Sequence, residues 1–243
     1  ATPAGGTLLL APGRYAGPAV IARPMILDGQ GKARVEGNGH GTVLAVRAGG
    51  VTLRGLTVAG SGELHDSVDA GILIESDDNL VESNTLEDVL FGFHVRQGHR
   101  NRILRNRVTG KDQPPGLRGD GIRLWNSRHN LIEGNSFERA RDLTFANSAD
   151  NRIAGNRFHD GRYGMHIVFS PRLLVENNHL EHTGTGIIVL YSPGLTVRGN
   201  HVAHAMAGGG GGIVFKESDD ALVENNEIIH CAVGLQVDAP PQP

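Results

Sequence analysis

The sequence predicts an all-β fold, a right-handed parallel β-helix, built as a solenoid of coils of about 22 residues with an asparagine ladder. Three observations predict it. First, a short phrase ending in asparagine recurs: Asn79-Leu-Val-Glu-Ser-Asn84, Asn101-Arg-Ile-Leu-Arg-Asn106, Asn130-Leu-Ile-Glu-Gly-Asn135, Asn151-Arg-Ile-Ala-Gly-Asn156, Leu173-Leu-Val-Glu-Asn-Asn178, Leu195-Thr-Val-Arg-Gly-Asn200 and Ala221-Leu-Val-Glu-Asn-Asn226. Counted from Gly55, the glycine counterpart in an earlier copy, the final positions are 29, 22, 29, 21, 22, 22 and 26 residues apart. Second, each repeat holds two short alternating runs rich in β-branched residues, which read as strands. Third, no window carries a helical stripe of useful length, which disfavours leucine-rich and helical repeats.

The elements follow in order. Val81, Ile103, Ile132, Ile153, Val175, Val197 and Val223 hold one slot ahead of the asparagine. Leu86, Val108, Phe137, Phe158, Leu180, Val202 and Ile228 hold a slot two residues after it. A glycine-led strand follows, as in Gly121-Ile-Arg-Leu and Gly164-Met-His-Ile. Same-slot residues of neighbouring coils should stack about 4.8 Å apart. Asn84, Asn106, Asn135, Asn156, Asn178, Asn200 and Asn226 then form a ladder at a turn, where side-chain amides can bond one another.

Residues 1–243 are read as one domain: irregular first coils over 1–49, regular coils over 50–238 and a tail over 239–243. The end lacks an obvious cap, which solenoids usually need, so the natural protein is expected to continue. The chain opens at Ala1 rather than Met, as one from which a leader has been removed would.

Composition narrows the partners. Lys and Arg total 23 against 26 Asp and Glu, and no basic run exists, so nucleic acid is not an expected partner. Cys231 is the only cysteine, which rules out an internal disulfide. No membrane-length apolar run or signal peptide is present, so no direct membrane span is expected.

The long spacings come from insertions at 61–69, 111–118 and 206–212, all between the asparagine-side strand and the glycine-led strand. They therefore share one edge, which marks either a binding face or a turn tolerant of length.

Histidines crowd the last coils. His182, His204 and His230 each lie four residues after a ladder asparagine in three consecutive coils, with Asp160 before them in the column. His179 stacks on His201 one residue after the asparagine, and Met206 and Cys231 lie next to the triple column in sequence. Imidazoles one strand spacing apart can share a metal ion pairwise, and nearby sulfur tilts the choice toward Cu(I) over Cu(II) or zinc. Met165 and His166 offer a second pair on another face. His94 shares the slot of His166, but two coils intervene. Solvated turn histidines would give the same pattern.

An outward slot reads Glu75, Arg96, Trp125, Ala146, Val168, Leu190 and Lys216, apolar in its middle, as a docking surface would be. Many β-helices cleave or epimerise acidic polysaccharides, and Asp120 with Arg123, and Asp69 near Asp120, can be read that way. No compact Asp/His/Arg constellation recurs.

The phrases Gly119-Asp-Gly-Ile-Arg-Leu-Trp-Asn-Ser127, Arg162-Tyr-Gly-Met-His-Ile-Val-Phe-Ser170, Val189-Leu-Tyr-Ser192, Phe215-Lys-Glu-Ser218 and Asn225-Asn-Glu-Ile-Ile229 carry a resemblance over residues 7–238. They resemble NosD, the periplasmic copper-binding maturation protein of nitrous oxide reductase. The resemblance implies a non-catalytic periplasmic accessory protein that binds or hands over copper. It also implies partners: an ABC-type ATPase with its membrane subunit, nitrous oxide reductase and a copper chaperone lipoprotein. Where the family often carries methionine, this chain has Val168. No family motif fixes the His182–His204–His230 column as the copper site; that expectation comes from stacking. Two other functions stand beside this one: a carbohydrate-binding or uronate-polymer lyase or epimerase β-helix, and a metal-free docking scaffold.

Overall fold

Regular coils present three strands, and like strands of successive coils pair in parallel along the molecule. The structure, a computed structural model, describes residues 2–206 and 210–238. The first face is typified by Leu131–Glu133, the second by Ser136–Glu138 and the third by Asp142–Ala146. The first two faces fall in one 18-stranded sheet because Ile26–Glu36 and Thr52–Ala59 run through the corner between them. The third face is a 10-stranded sheet. Among the described residues the one helical element is a short 3-10 turn, Pro115–Leu117. The predicted parallel β-helix is what the chain forms.

Strand alternation sends one side chain per short strand inward. Val81, Ile103, Ile132, Ile153, Val175 and Val197 stack coil upon coil, at no more than 1% exposure. Phe137 and Phe158 fill the neighbouring inward column. Burial of each such side chain is worth about 1.5–3 kcal/mol. Because the core is a tube, every coil rests on its neighbours for that burial.

The first-to-second corner holds the predicted ladder. Asn156 accepts from the backbone N–H of Asn135 at 3.0 Å and from its Nδ2 at 2.9 Å. Its own Nδ2 donates to Asn178 Oδ1 at 3.0 Å and to the carbonyl of Ile132 at 2.9 Å. The left-handed turn residue is the one before each asparagine: Ser83, Arg105, Gly134, Gly155, Asn177, Gly199 and Asn225 all have positive φ. The ladder asparagines are there for their amides rather than for tolerance of a turn.

The third-to-first corner holds two ladders that the sequence reading did not separate out. Asn79, Asn101, Asn130 and Asn151 form one, each Oδ1 accepting from the backbone N–H of the preceding member. Ser127, Ser148, Ser170, Ser192 and Ser218 form the other. Where Leu173 and Leu195 replace asparagine, the serine ladder continues alone.

Among the described residues the second-to-third corner has no side-chain ladder of this kind; the insertions at 61–69 and 111–118 lie there, and residues 207–209 of the insertion at 206–212 lie outside the described residues. Arg139, Asp160, His182, His204 and His230 turn the chain here in left-handed backbone. The glycine that opens the third face is dictated by crowding. A Cβ on Gly92 would lie 2.2 Å from the carbonyl oxygen of Gly121, and one on Gly164 would lie 2.4 Å from that of Gly186.

Candidate metal centre

The second face and its corner gather the C-terminal histidines. Strands His179–Glu181 and His201–Ala203 pair in register, His179 opposite His201 and Glu181 opposite Ala203. Leu180 and Val202 point into the core, so His179, Glu181 and His201 face outward. The imidazoles of His179 and His201 lie 4.4 Å apart, 5° from parallel.

At the corner, His182, His204 and His230 all adopt left-handed backbone, which repeats coil by coil and points their side chains the same way. This conformation is uncommon outside glycine, and histidine is among the residues enriched in it. His182 and His204 stack at 4.8 Å and 8°, His204 and His230 at 5.1 Å and 18°. A straight column brings neighbouring imidazoles together but holds His182 and His230 two coils apart. One ion can therefore take ligands from adjacent members only.

Two residues absent from the predicted set complete the cluster. His159 lies on the preceding strand, opposite Glu181, and its ring stands 4.9 Å from that of His182 at a tilt of 59°. Glu181 belongs to two groups of potential ligands. His159, Glu181 and His182 each offer an atom within 4.8 Å of the others, and so do His179, Glu181 and His201. Glu181 Oε1 is 2.9 Å from His179 Nε2 and 3.8 Å from His201 Nε2. Burial pushes its carboxyl up, but the hydrogen bond from His179 and the charges of His179, His201 and His182 outweigh this and hold it below the usual range. The sequence signal was available: alternation puts His179 and Glu181 on the same side of one strand.

Outer carboxylates orient the rings. Asp160 meets His159 Nδ1 at 2.8 Å, and Glu227 meets His201 Nδ1 at 2.8 Å. Both leave Nε2 available for a ligand, the arrangement in which a second-shell carboxylate sets the tautomer and ring direction of a ligating histidine.

The predicted pair Met165 and His166 is not part of this cluster. Met165 is fully buried in the core, because Gly164 begins an inward-outward alternation that turns its thioether inside. His166 lies on the third face beside Tyr163, between Thr144 and Ile188 in register. Burial holds its pKa below the ordinary value. Arg123 and Thr144 separate it from His94, as expected. Cys231 also turns inward, its Sγ 3.4 Å from the carbonyl oxygen of Ile229 and packed against the core. Met206 is exposed at the histidine corner, next to residues 207–209, which lie outside the described residues. The donors that converge are imidazole nitrogens and a carboxylate.

The insertion loop of residues 111–118 leans over the same corner. Arg118 Nη1 donates to the carbonyl of Asp160 at 3.2 Å, and His65 Nε2 of the preceding loop lies 3.0 Å from the carbonyl of Leu117. A cleft of about 610 Å³ opens between loop and corner, lined by Pro115, Arg118, Arg141, Arg162 and His182 among others.

The aspartates considered for sugar chemistry are engaged elsewhere. Asp120 is buried and bonded to Arg141 at 3.0 Å. Asp69 caps its own loop through Ser67 and the backbone N–H of Leu64.

The family model described as "Periplasmic copper-binding protein (NosD)" matches residues 105–240. The chain belongs to the NosD family. A relative from Pseudomonas aeruginosa, named "Probable ABC transporter binding protein NosD", is 33% identical over 140 residues. That match covers 56% of this chain and 33% of the relative, so the chain spans about a third of that protein's length. Among solved structures, an alginate lyase from Paenibacillus superposes with a TM-score of 0.77 at 17% identity, covering 97% of this chain and 93% of the lyase. The full-length tailspike protein 2 of an Escherichia coli O157:H7 bacteriophage gives 0.76 at 13% identity, covering 92% of this chain and 35% of the other. At these identities the likeness is one of fold. No helix of the described residues is long and apolar enough to cross a membrane.

Proposed function

We propose that this chain is a periplasmic accessory protein that holds copper on its histidine face and passes it on by ligand exchange during maturation of nitrous oxide reductase. The observation that carries this is the convergence of His159, His179, His182 and His201 on Glu181, in a chain whose family is described as copper-binding. His204 and His230 extend the corner column and give a cargo ion neighbouring imidazoles to step along.

The donor set bears on the copper. The expectation of Cu(I) drew on sulfur beside the imidazoles. Met165 and Cys231 turn inward and Met206 stays exposed at the corner; the atoms grouped around Glu181 are nitrogen and oxygen, a set that suits Cu(II). The site is exposed and its ligands come from short strands on a rigid tube, which favours capture and release over permanent retention.

The relative's name supports an ABC transporter as partner. The ATPase and its membrane subunit would supply the energy, since this chain has no phosphate-binding loop. The copper chaperone lipoprotein and the reductase would be donor and acceptor. The outward slot from Trp125 to Leu190 is in register, and Phe169 and Tyr191 stack at 5.1 Å beside it, both exposed. We assign partner docking to this apolar strip.

Copper titration of the chain beside a His182→Ala/His204→Ala/His230→Ala variant and a His179→Ala/His201→Ala variant tests the function, with both oxidation states tried. Binding weakened in either variant supports it. Equal binding by all three chains moves the site off this face, and no binding by the unmodified chain leaves a docking scaffold.

A further inference from the structure

Glu181 stands between two imidazole pairs. His159 and His182 lie toward the corner, with non-parallel rings. His179 and His201 lie on the face, with parallel rings. Each pair forms a compact group with Glu181, and the carboxylate is the member common to both. Ligand atoms on one ion lie about 3–4 Å apart when each bond is about 2 Å. Groups already within 4.8 Å reach that spacing by side-chain rotation alone, and these side chains are exposed or half-buried.

We propose that Glu181 bridges two copper ions, one held with His159 and His182 and the other with His179 and His201, so that the face loads a coupled pair of cupric ions. The inference rests on the reading that this face takes copper.

Three features favour a pair over a single ion. A carboxylate has two oxygens and can give one to each metal. Its negative charge lies between the cations and offsets their repulsion, a contribution a neutral imidazole does not make. Asp160 and Glu227 add a negative charge at the outer side of each half, on His159 Nδ1 and His201 Nδ1. The hydrogen bond between His179 Nε2 and Glu181 is replaced when metal enters. The proton it holds leaves to solvent, as metal binding at titratable ligands requires.

The test uses the whole chain with cupric sulfate in aerobic buffer. Bound copper is counted after desalting, and the electron paramagnetic resonance intensity is compared with that count. The expected result is two ions per chain with spectral intensity below the copper present, because bridged ions couple. Glu181→Gln should weaken copper binding about 10-fold or more and restore the full signal of isolated ions to whatever copper remains. Glu138→Gln, on the same face outside both groups, should behave as the unmodified chain. One ion per chain, or two ions with full uncoupled intensity, overturns the bridge and leaves the copper-handling function intact. No bound copper overturns both. Should Glu181→Gln fail to fold, the intensity measurement on the unmodified chain decides alone.

Discussion

The imidazoles of His179 and His201 lie face to face, 4.4 Å apart and 5° from parallel. The spacing is that of the coils themselves, so no special packing is needed to create it; placing histidine in the same slot of two coils suffices. Whether such a stack does chemistry depends on what lies beside it, and here Glu181 is 2.9 Å from one ring and 3.8 Å from the other. Replacing both histidines with alanine is predicted to weaken copper binding about 10-fold or more, as read by competition with a chelator. His166→Ala, on the third face, should leave the affinity unchanged.

Buried sulfur should not matter to copper. Met165 is enclosed by the core and Cys231 bonds toward backbone carbonyls. Met165→Leu and Cys231→Ser are expected to titrate like the unmodified chain, and Met165→Leu, a swap of similar volume, should cost less than about 1.5 kcal/mol. Loss of copper affinity in either variant would restore sulfur to the site.

The asparagine ladder is predicted to be a main source of stability. Asn156→Ala takes the partner from the backbone N–H of Asn135, from one of the two Nδ2 protons of Asn135 and from a bond to the carbonyl of Ile132, all in a buried setting. The cost should be about 3 kcal/mol or more. Asn226, half-buried at the end of the ladder, should cost clearly less on the same change. Denaturant unfolding of the two variants gives the comparison.

Acid sensitivity should have a contribution from His94. Burial, then the charges of Arg123 and Arg96, lower its pKa to about 4 from the ordinary histidine value of 6.5. Below 6.5 the unfolded chain takes up the proton first, so stability from keeping this ring neutral is full above 6.5 and lost as pH falls through about 4. The loss amounts to about 2–3 kcal/mol. His94→Leu should lose that much less stability than the unmodified chain between pH 7 and pH 4. Parallel pH profiles would contradict the assignment.

The fold was legible because a solenoid writes its register into the sequence. Val81, Ile103 and Ile132 repeat with the coil, and Asn84, Asn106 and Asn135 repeat with them. Stacking of His182 on His204 and of His179 on His201 followed from the same count. Side-chain direction within a coil was less legible. Met165 and His166 are neighbours in sequence, yet alternation puts one in the core and turns the other outward, half-buried on the third face. The serine ladder from Ser127 to Ser218 was hidden because its members lie in turns, where serine is unremarkable. Glu181 was missed because the columns were followed for repeats of one residue type, whereas here a carboxylate shares a face with histidines: His159 lies opposite it in the preceding coil and His179 two residues before it on its own strand.

The most direct test of the histidine face is crystallographic: diffraction from copper-loaded crystals on either side of the copper absorption edge. The account predicts anomalous peaks on the second face, bounded by His159, His179, Glu181, His182 and His201. Peaks confined to other parts of the molecule, such as the third face around His94 and His166, would contradict it, as would copper-loaded crystals with no peak on the second face.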